Sequence, residues 1–388
     1  MLKNRLIFVV GLFIIALGIK FGLVPFLAND QPLWLKLISA LIILVTGAGF
    51  VITGTAKIIE ETTEVLHDRT QIAGGLLQSF GTAFPDMVLG IVAAVVSLKL
   101  RDTNYQLALN YAIIAAATTF GSNIYNIGHA SWCLYRQNLA NATNKIVLMF
   151  PGFKSAGLVR PINQHQLQPS RQEFDTAIGA SVALSILTAC VAVGMVIFGR
   201  VTDLPIPQSG DLYQLIRPVG GIVFVLALGV LLFFRKSQRS VAQNLEVGAN
   251  SEPSFYFAKS NLIIWLSLIV AGAAILFAAE SMIYAIEMLS HVFKIPVVLA
   301  GVLSGLIGCL GEMTVVHNYS VNPNGRLGDA VVGVAMDNIV TIVGASIVAM
   351  IGGIFFGGHA LILIFVLILT LNAILVGQMS QLKNYLKV

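Results

Sequence analysis

Charge is scarce in this chain of 388 residues. Asp, Glu, Lys and Arg make up 11% of it, against roughly 25% in a soluble domain, which excludes an ordinary water-soluble fold. Cysteine is nearly absent. Cys133, Cys190 and Cys309 each fall inside an apolar run without metal-ligand spacing, so a disulfide scaffold or a zinc module is not expected, and they read as small core residues. Also missing is any polar stretch with a domain-sized core, so a soluble catalytic module is excluded and the chain is not expected to be an enzyme. What dominates instead is apolar surface, at 57% hydrophobic residues and a mean hydropathy of +0.86. The net charge of +5 could suggest nucleic acid. Its basic residues cluster in particular loops, however, which points to membrane topology and a lipid bilayer as the partner.

A helix needs about 20 apolar residues to cross the hydrocarbon. Ten stretches qualify: 5–27, 34–58, 71–99, 106–133, 177–198, 213–234, 261–289, 296–319, 327–351 and 359–379. The first follows Lys3 and Arg5, contains Lys20 and lacks a clear A-x-A site, so it reads as an uncleaved helix. Lys and Arg collect in 135–176 (Arg136, Lys145, Lys154, Arg160, Arg171), in 235–260 (Arg235, Lys236, Arg239, Lys259) and in the tail (Lys383, Lys387). Threading ten helices from a cytoplasmic N-terminus puts all three inside, giving a multi-pass cell-membrane protein with both termini cytoplasmic. Lys99, Arg101 and Arg200 run against this pattern. Glu60, Glu61, Glu64 and Asp68 read as a solvated turn, and "KIVLMFPGF" as an amphipathic interfacial helix. The linker-like 235–260 divides the chain, leaving an extra helix in 1–33, a first repeat in 34–234 and a second in 261–388.

Two places hold polar residues in mid-membrane, and they come in matching pairs. "SFGTAFPDMVLG" precedes "TTFGSNIYNIG", and "LIGCLGEMTVVH" precedes "GVAMDNIVTIVG". Each pair is an acid beside a helix-interrupting glycine cluster, followed one helix later by polar residues at i, i+4. That spacing sets Ser122 with Asn126, and Asp337 with Thr341, on one helix face. The charge-derived topology runs 71–99 outward and 296–319 inward, so the halves are inverted, as in many secondary transporters. On insertion scales three intramembrane acids cost on the order of 8–10 kcal/mol, comparable with the stability of a whole domain. Their retention at repeat-related positions argues for a functional role.

Gly81-Thr82-Ala83-Phe84-Pro85-Asp86 resembles the Gly-Thr-Ser-x-Pro-Glu motif of the cation/calcium exchanger superfamily, and Gly121-Ser122-Asn123-Ile124-Tyr125-Asn126 resembles its Gly-Ser-Asn-Ile-Phe-Asn motif. The likeness covers 34–134 and 261–351. It implies an all-α membrane fold of two inverted-topology repeats, with a cation site of Thr82, Asp86, Ser122 and Asn126 from the first repeat and Glu312, Asp337 and Thr341 from the second. It also implies exchange of inorganic cations, with calcium driven by sodium or protons, and no cofactor. The chain departs from the family pattern in several places. Asp86 replaces a Glu, Ala83, Gly308 and Cys309 stand where the family has hydroxyls, and Gly311 replaces a proline. Asp337 and Thr341 occupy the Ser and the Asn or Asp positions.

An oxygen-only site of carboxylates, amides and hydroxyls suits calcium, sodium or protons. A proton-coupled exchanger of another cation and a non-transporting sensor on the same fold are the competing readings. An intramembrane aspartyl protease would need Gly-x-Gly-Asp and Tyr-Asp motifs, and the sequence has neither. Thr82, Ser122 and Thr341 have an alternative in bonding their own helix carbonyls. His129 reads as a helix-packing histidine, with a proton relay the other possibility, and His317 lies near a membrane edge. Glu280 and Glu287 read as snorkelling or gating residues, and Gly74, Gly75, Gly301 and Gly305 as close-packing positions. Nothing in the sequence signals an oligomeric state.

Overall fold

The computed structural model describes residues 5–28, 30–70, 74–166, 168–202, 211–245, 255–322 and 327–386. Every one of the ten apolar stretches carries a helix. Before the linker these are α1 (Arg5–Gly18), α2 (Leu33–Thr46), α3 (Thr53–Thr70), α4 (Gly74–Leu100), α5 (Tyr105–Thr143), α6 (Arg171–Phe198) and α7 (Arg217–Leu245). After it come α8 (Asn261–Phe293), α9 (Val297–Val321), α10 (Leu327–Ile351) and α11 (Gly358–Lys383). Among the described residues, eight helical runs are long and apolar enough to span a membrane, and the bent α9 makes a ninth. A π turn at Gly47–Ile52 joins α2 to α3, so both belong to one stretch. The chain is an all-α, multi-pass membrane protein.

The centre of the bundle is α5, whose 39 residues measure about 58 Å at 1.5 Å per residue. The Asn104 side chain caps its start by accepting from the Leu107 N–H, and Asn144 ends it in the left-handed conformation at φ 50°. Alanine-rich and buried along most of its length, it packs against α4, α9, α10 and α11.

Chain direction follows from pairs of contacts. The tight turn after α4 sends α5 back alongside it, with Ser97 Oγ donating to the Ala108 carbonyl at 2.7 Å. Between α5 and α9, Thr118 meets Ser304 and Asn126 meets Glu312, so position rises together on both helices and they run parallel. α9 is therefore antiparallel to α4. Gly344 of α10 abuts Met87, and Gly353 just past its end abuts Ala94, so α10 runs parallel to α4 and opposite to α5. The α4–α5 and α9–α10 hairpins are thus inverted with respect to each other, the relation that the charge pattern predicts.

Several expectations are corrected. The acidic stretch after residue 58 is not a turn, because α3 continues helical to Thr70, with Glu61 paired to Arg5 at 2.6 Å. The side chains of Glu60, Glu64 and Asp68 lie outside the described residues. "KIVLMFPGF" is not an interfacial helix but the first half of a hairpin, β1 (Val147–Phe150) antiparallel to β2 (Phe153–Val159). Its run of β-branched and large apolar residues meets Pro151-Gly152, and Gly152 at φ +87° supplies the reversal. Two of the three basic residues that run against the charge rule are held locally. Arg101 donates to the Gly352 carbonyl at the end of α10, and Arg200 pairs with Asp211 at 3.0 Å. A second small sheet, β3 (Leu212–Gln214) with β4 (Phe355–Gly357), ties the two halves together beside them.

Candidate ion-binding site

Glycine sets the distance between α5 and α9. A Cβ at Gly301 would lie 2.6 Å from that of Ala117, and one at Gly305 would lie 2.6 Å from the Ser122 nitrogen and 2.7 Å from the Thr118 carbonyl oxygen. Only hydrogen fits at these contacts, so the two helices meet almost backbone to backbone. Gly74 and Gly75, expected to act likewise, have surroundings outside the described residues. The close approach lets side chains of opposite repeats meet. Asn126 Nδ2 donates to Glu312 Oε2 at a buried contact.

Asp86 enters from α4 and is buried, with 1% of its surface exposed. Pro85 precedes it and has no N–H, which leaves one helix carbonyl without its usual donor. The Asp86 carboxylate lies against Gly308, where any Cβ would collide with Oδ1. The lack of a side chain at 308, a departure from the motif that this stretch resembles, is thereby explained: α9 gives up a side chain where α4 projects its acid. Glu312 follows Gly311, at which α9 bends by 53° between Val297–Leu310 and Glu312–Val321. Glu312 feels the charges of both Asp337 and Asp86, so acids of the two repeats share one low-dielectric region.

The donor account is the telling feature. Neither carboxylate oxygen of Asp86 has a hydrogen-bond partner among the described residues, nor do Glu312 Oε1, Asn126 Oδ1, or either amide atom of Asn123. Native proteins leave few buried polar groups in this condition, because each costs about 1–3 kcal/mol or more. Ser122 lies close enough to Asp86 to interact, yet its hydroxyl hydrogen goes to the Thr119 carbonyl at 3.0 Å. Thr341 similarly donates to the Asp337 carbonyl at 3.0 Å, and Asp337 is buried on α10. Both hydroxyls therefore make the local backbone bond and keep lone pairs free to accept or to coordinate. The Thr82 side chain lies outside the described residues.

Comparison with solved structures bears on the fold. The structure of native YfkE superposes with a TM-score of 0.52 at 12% identity, covering 96% of each chain. The chain has the fold of YfkE. The H+/Ca2+ exchanger CAX matches with a TM-score of 0.49 at 12% identity over 96% of this chain and 95% of that one. A structure of the sodium-calcium exchanger NCX_Mj gives 0.44 at 14% identity over 96% and 97%. No protein-family model matches the sequence, and no curated protein matches it either.

On this YfkE-type frame, sequence reasoning missed residues as well as finding them. Asn123 is fully buried with its amide unsatisfied, although it stands inside the quoted motif beside Ser122. The Thr118–Ser304 contact bridges the repeats two turns before Asn126 and carried no motif to reveal it. Glu280, expected to snorkel or gate, forms an ion pair with Lys20 at 2.5 Å, so it anchors the first helical stretch to α8. Glu287 on the same helix interacts with Asn110 and His291.

Proposed function

We propose that the protein is a secondary active cation antiporter of the cell membrane, exchanging calcium against sodium or protons by alternating access. Asp86, Glu312 and Asp337 supply the charge. Thr82, Ser122, Asn126 and Thr341 supply neutral oxygens, and no resident cofactor takes part. The observation that carries this reading is the set of buried oxygens without donors on Asp86, Glu312 and Asn126, at the crossing of inverted helices. Hard oxygen donors of this kind suit a hard cation. Single unpartnered atoms also occur at packing positions such as Gln137 and Asn372, but here two buried acids and an amide carry theirs together.

The mechanism follows from where these groups stand. Because α4–α5 and α9–α10 are inverted, rocking of one hairpin against the other opens the acids to alternate sides. A dication neutralises two of the three carboxylates, and sodium ions or protons can do the same. When calcium and its counter-ion compete for the same acids, exchange is obligatory. The Lys- and Arg-rich segments orient the site, with both termini and the β1–β2 hairpin on the cytoplasmic side.

The test is calcium flux in proteoliposomes under imposed sodium and proton gradients. Uptake that follows one outward gradient and collapses with it supports antiport and names the coupling ion. Calcium-independent flux of another cation would favour the proton-coupled alternative, and an absence of gradient-driven flux would favour the sensor.

A further inference from the structure

Among the described residues, one group of three or more His, Cys, Asp and Glu side chains converges its ligand atoms tightly, and it is not the carboxylate group. His129, Cys133 and His317 place one ligand atom each within 4.8 Å of one another. His129 and Cys133 stand at i, i+4 on α5, with Nε2 and Sγ 3.6 Å apart. His317 comes from the last turns of α9, its ring 5.8 Å from that of His129 and inclined by 19°. The cysteine is fully buried, and the histidines are partly buried.

We propose that these three side chains form a binding site for a borderline-soft divalent cation of the zinc class, separate from the carboxylate site. Tetrahedral zinc, with bonds of about 2.0–2.3 Å, holds its ligand atoms roughly 3.3–3.8 Å apart. The His129–Cys133 distance already lies in that range, and His317 needs to close by at most about 1.5 Å. His317 is also set up for ligation. Its Nε2 lies 2.8 Å from the Ala156 carbonyl oxygen, which can only accept, so Nε2 carries the hydrogen and Nδ1 keeps its lone pair. A backbone carbonyl that fixes the tautomer in this way is the usual companion of a metal-bound histidine. Trp132 holds that arrangement from behind by donating to the Met149 carbonyl of β1 at 3.0 Å, while Phe150 stacks on both Trp132 and His317. Binding releases the Cys133 thiol proton to solvent. The resulting thiolate with two imidazoles favours zinc-class ions over calcium, and three protein ligands leave a fourth position for water.

The placement gives the site a consequence. His129 lies one turn beyond Asn126 on α5, and His317 lies beyond Glu312 on α9, so a bound ion ties together the two helices that hold the Asn126–Glu312 contact. Occupancy then restrains exchange. That consequence rests on the antiport reading, whereas the binding does not.

Purified full-length protein in detergent, titrated with Co2+ and Zn2+ in excess calcium, tests the binding without any transport. The expected result is one Co2+ per chain with a thiolate-to-cobalt charge-transfer band, unaltered by Cys190→Ser and lost in Cys133→Ser. Zn2+ displaces the Co2+, and His317→Gln weakens binding at least about tenfold. Absence of the band, or its persistence in Cys133→Ser, overturns the site. Should Cys133→Ser fail to fold, His317→Gln and His129→Gln decide: wild-type Zn2+ affinity in both equally overturns it.

Discussion

Gly308→Ala adds one methyl group where α9 meets the Asp86 carboxylate. The new Cβ would collide with Oδ1, lie 2.8 Å from Cγ and 3.3 Å from the Asp86 Cα. Rotating the carboxylate relieves the first contact but not the last, which involves the α4 backbone. Overpacking of this kind costs about 1–3 kcal/mol. At 1.4 kcal/mol per factor of ten, a loss of that size borne by ion binding is about 5- to 150-fold in affinity. The assay is the calcium dependence of flux in proteoliposomes, with thermal unfolding in detergent alongside. Gly272→Ala in α8, where a Cβ meets nothing within 4 Å, is the matched control and should transport normally. The half-saturating calcium concentration of Gly308→Ala should rise while its unfolding temperature changes little. A wild-type half-saturation in folded Gly308→Ala would refute the placement of Asp86 at the ion path.

Three further outcomes are expected. Asp337→Ser should collapse flux, and adding Thr341→Asp should recover part of it, because the pair lies one turn apart and the charge moves about 6 Å along α10; normal transport by the single variant would make Asp337 a packing residue. A cysteine at exposed Lys154, in a background lacking Cys190, should resist impermeant labelling from outside intact cells, and efficient labelling would reverse the orientation. Lys20→Met should lower stability by about 1–3 kcal/mol by leaving Glu280 unpaired, and Glu280→Gln on top should restore most of it in thermal unfolding; no change in either would show the ion pair to be energetically idle.

The ten helical stretches were legible because a bilayer demands long apolar runs, and hydropathy measures that demand directly. The inverted relation of the halves was legible from loop charge, and the paired contacts of α5 with α9 agree with it. Asp86, Asn126 and Glu312 stood out because polar groups are costly at that depth. Other features depend on contacts between distant segments. Lys20 finds Glu280 only once α1 packs on α8, and the role of Gly308 exists only where Asp86 faces it. The β1–β2 hairpin was misread because a short apolar run fits a helix and a strand equally well. The His129–Cys133 pair at i, i+4 was passed over because the cysteines show no ligand spacing among themselves and the third member of the cluster lies in the opposite repeat.

The central claim is that the carboxylates of Asp86 and Glu312, which keep oxygens without donors, hold the transported ion. Its most direct test is calcium counterflux by purified Asp86→Asn and Glu312→Gln, each reconstituted at wild-type density and checked for folding by size exclusion. The amides keep shape and some coordination but remove the charge that a divalent ion needs. Both variants should be inserted, folded and inactive. Wild-type counterflux in both would contradict the account.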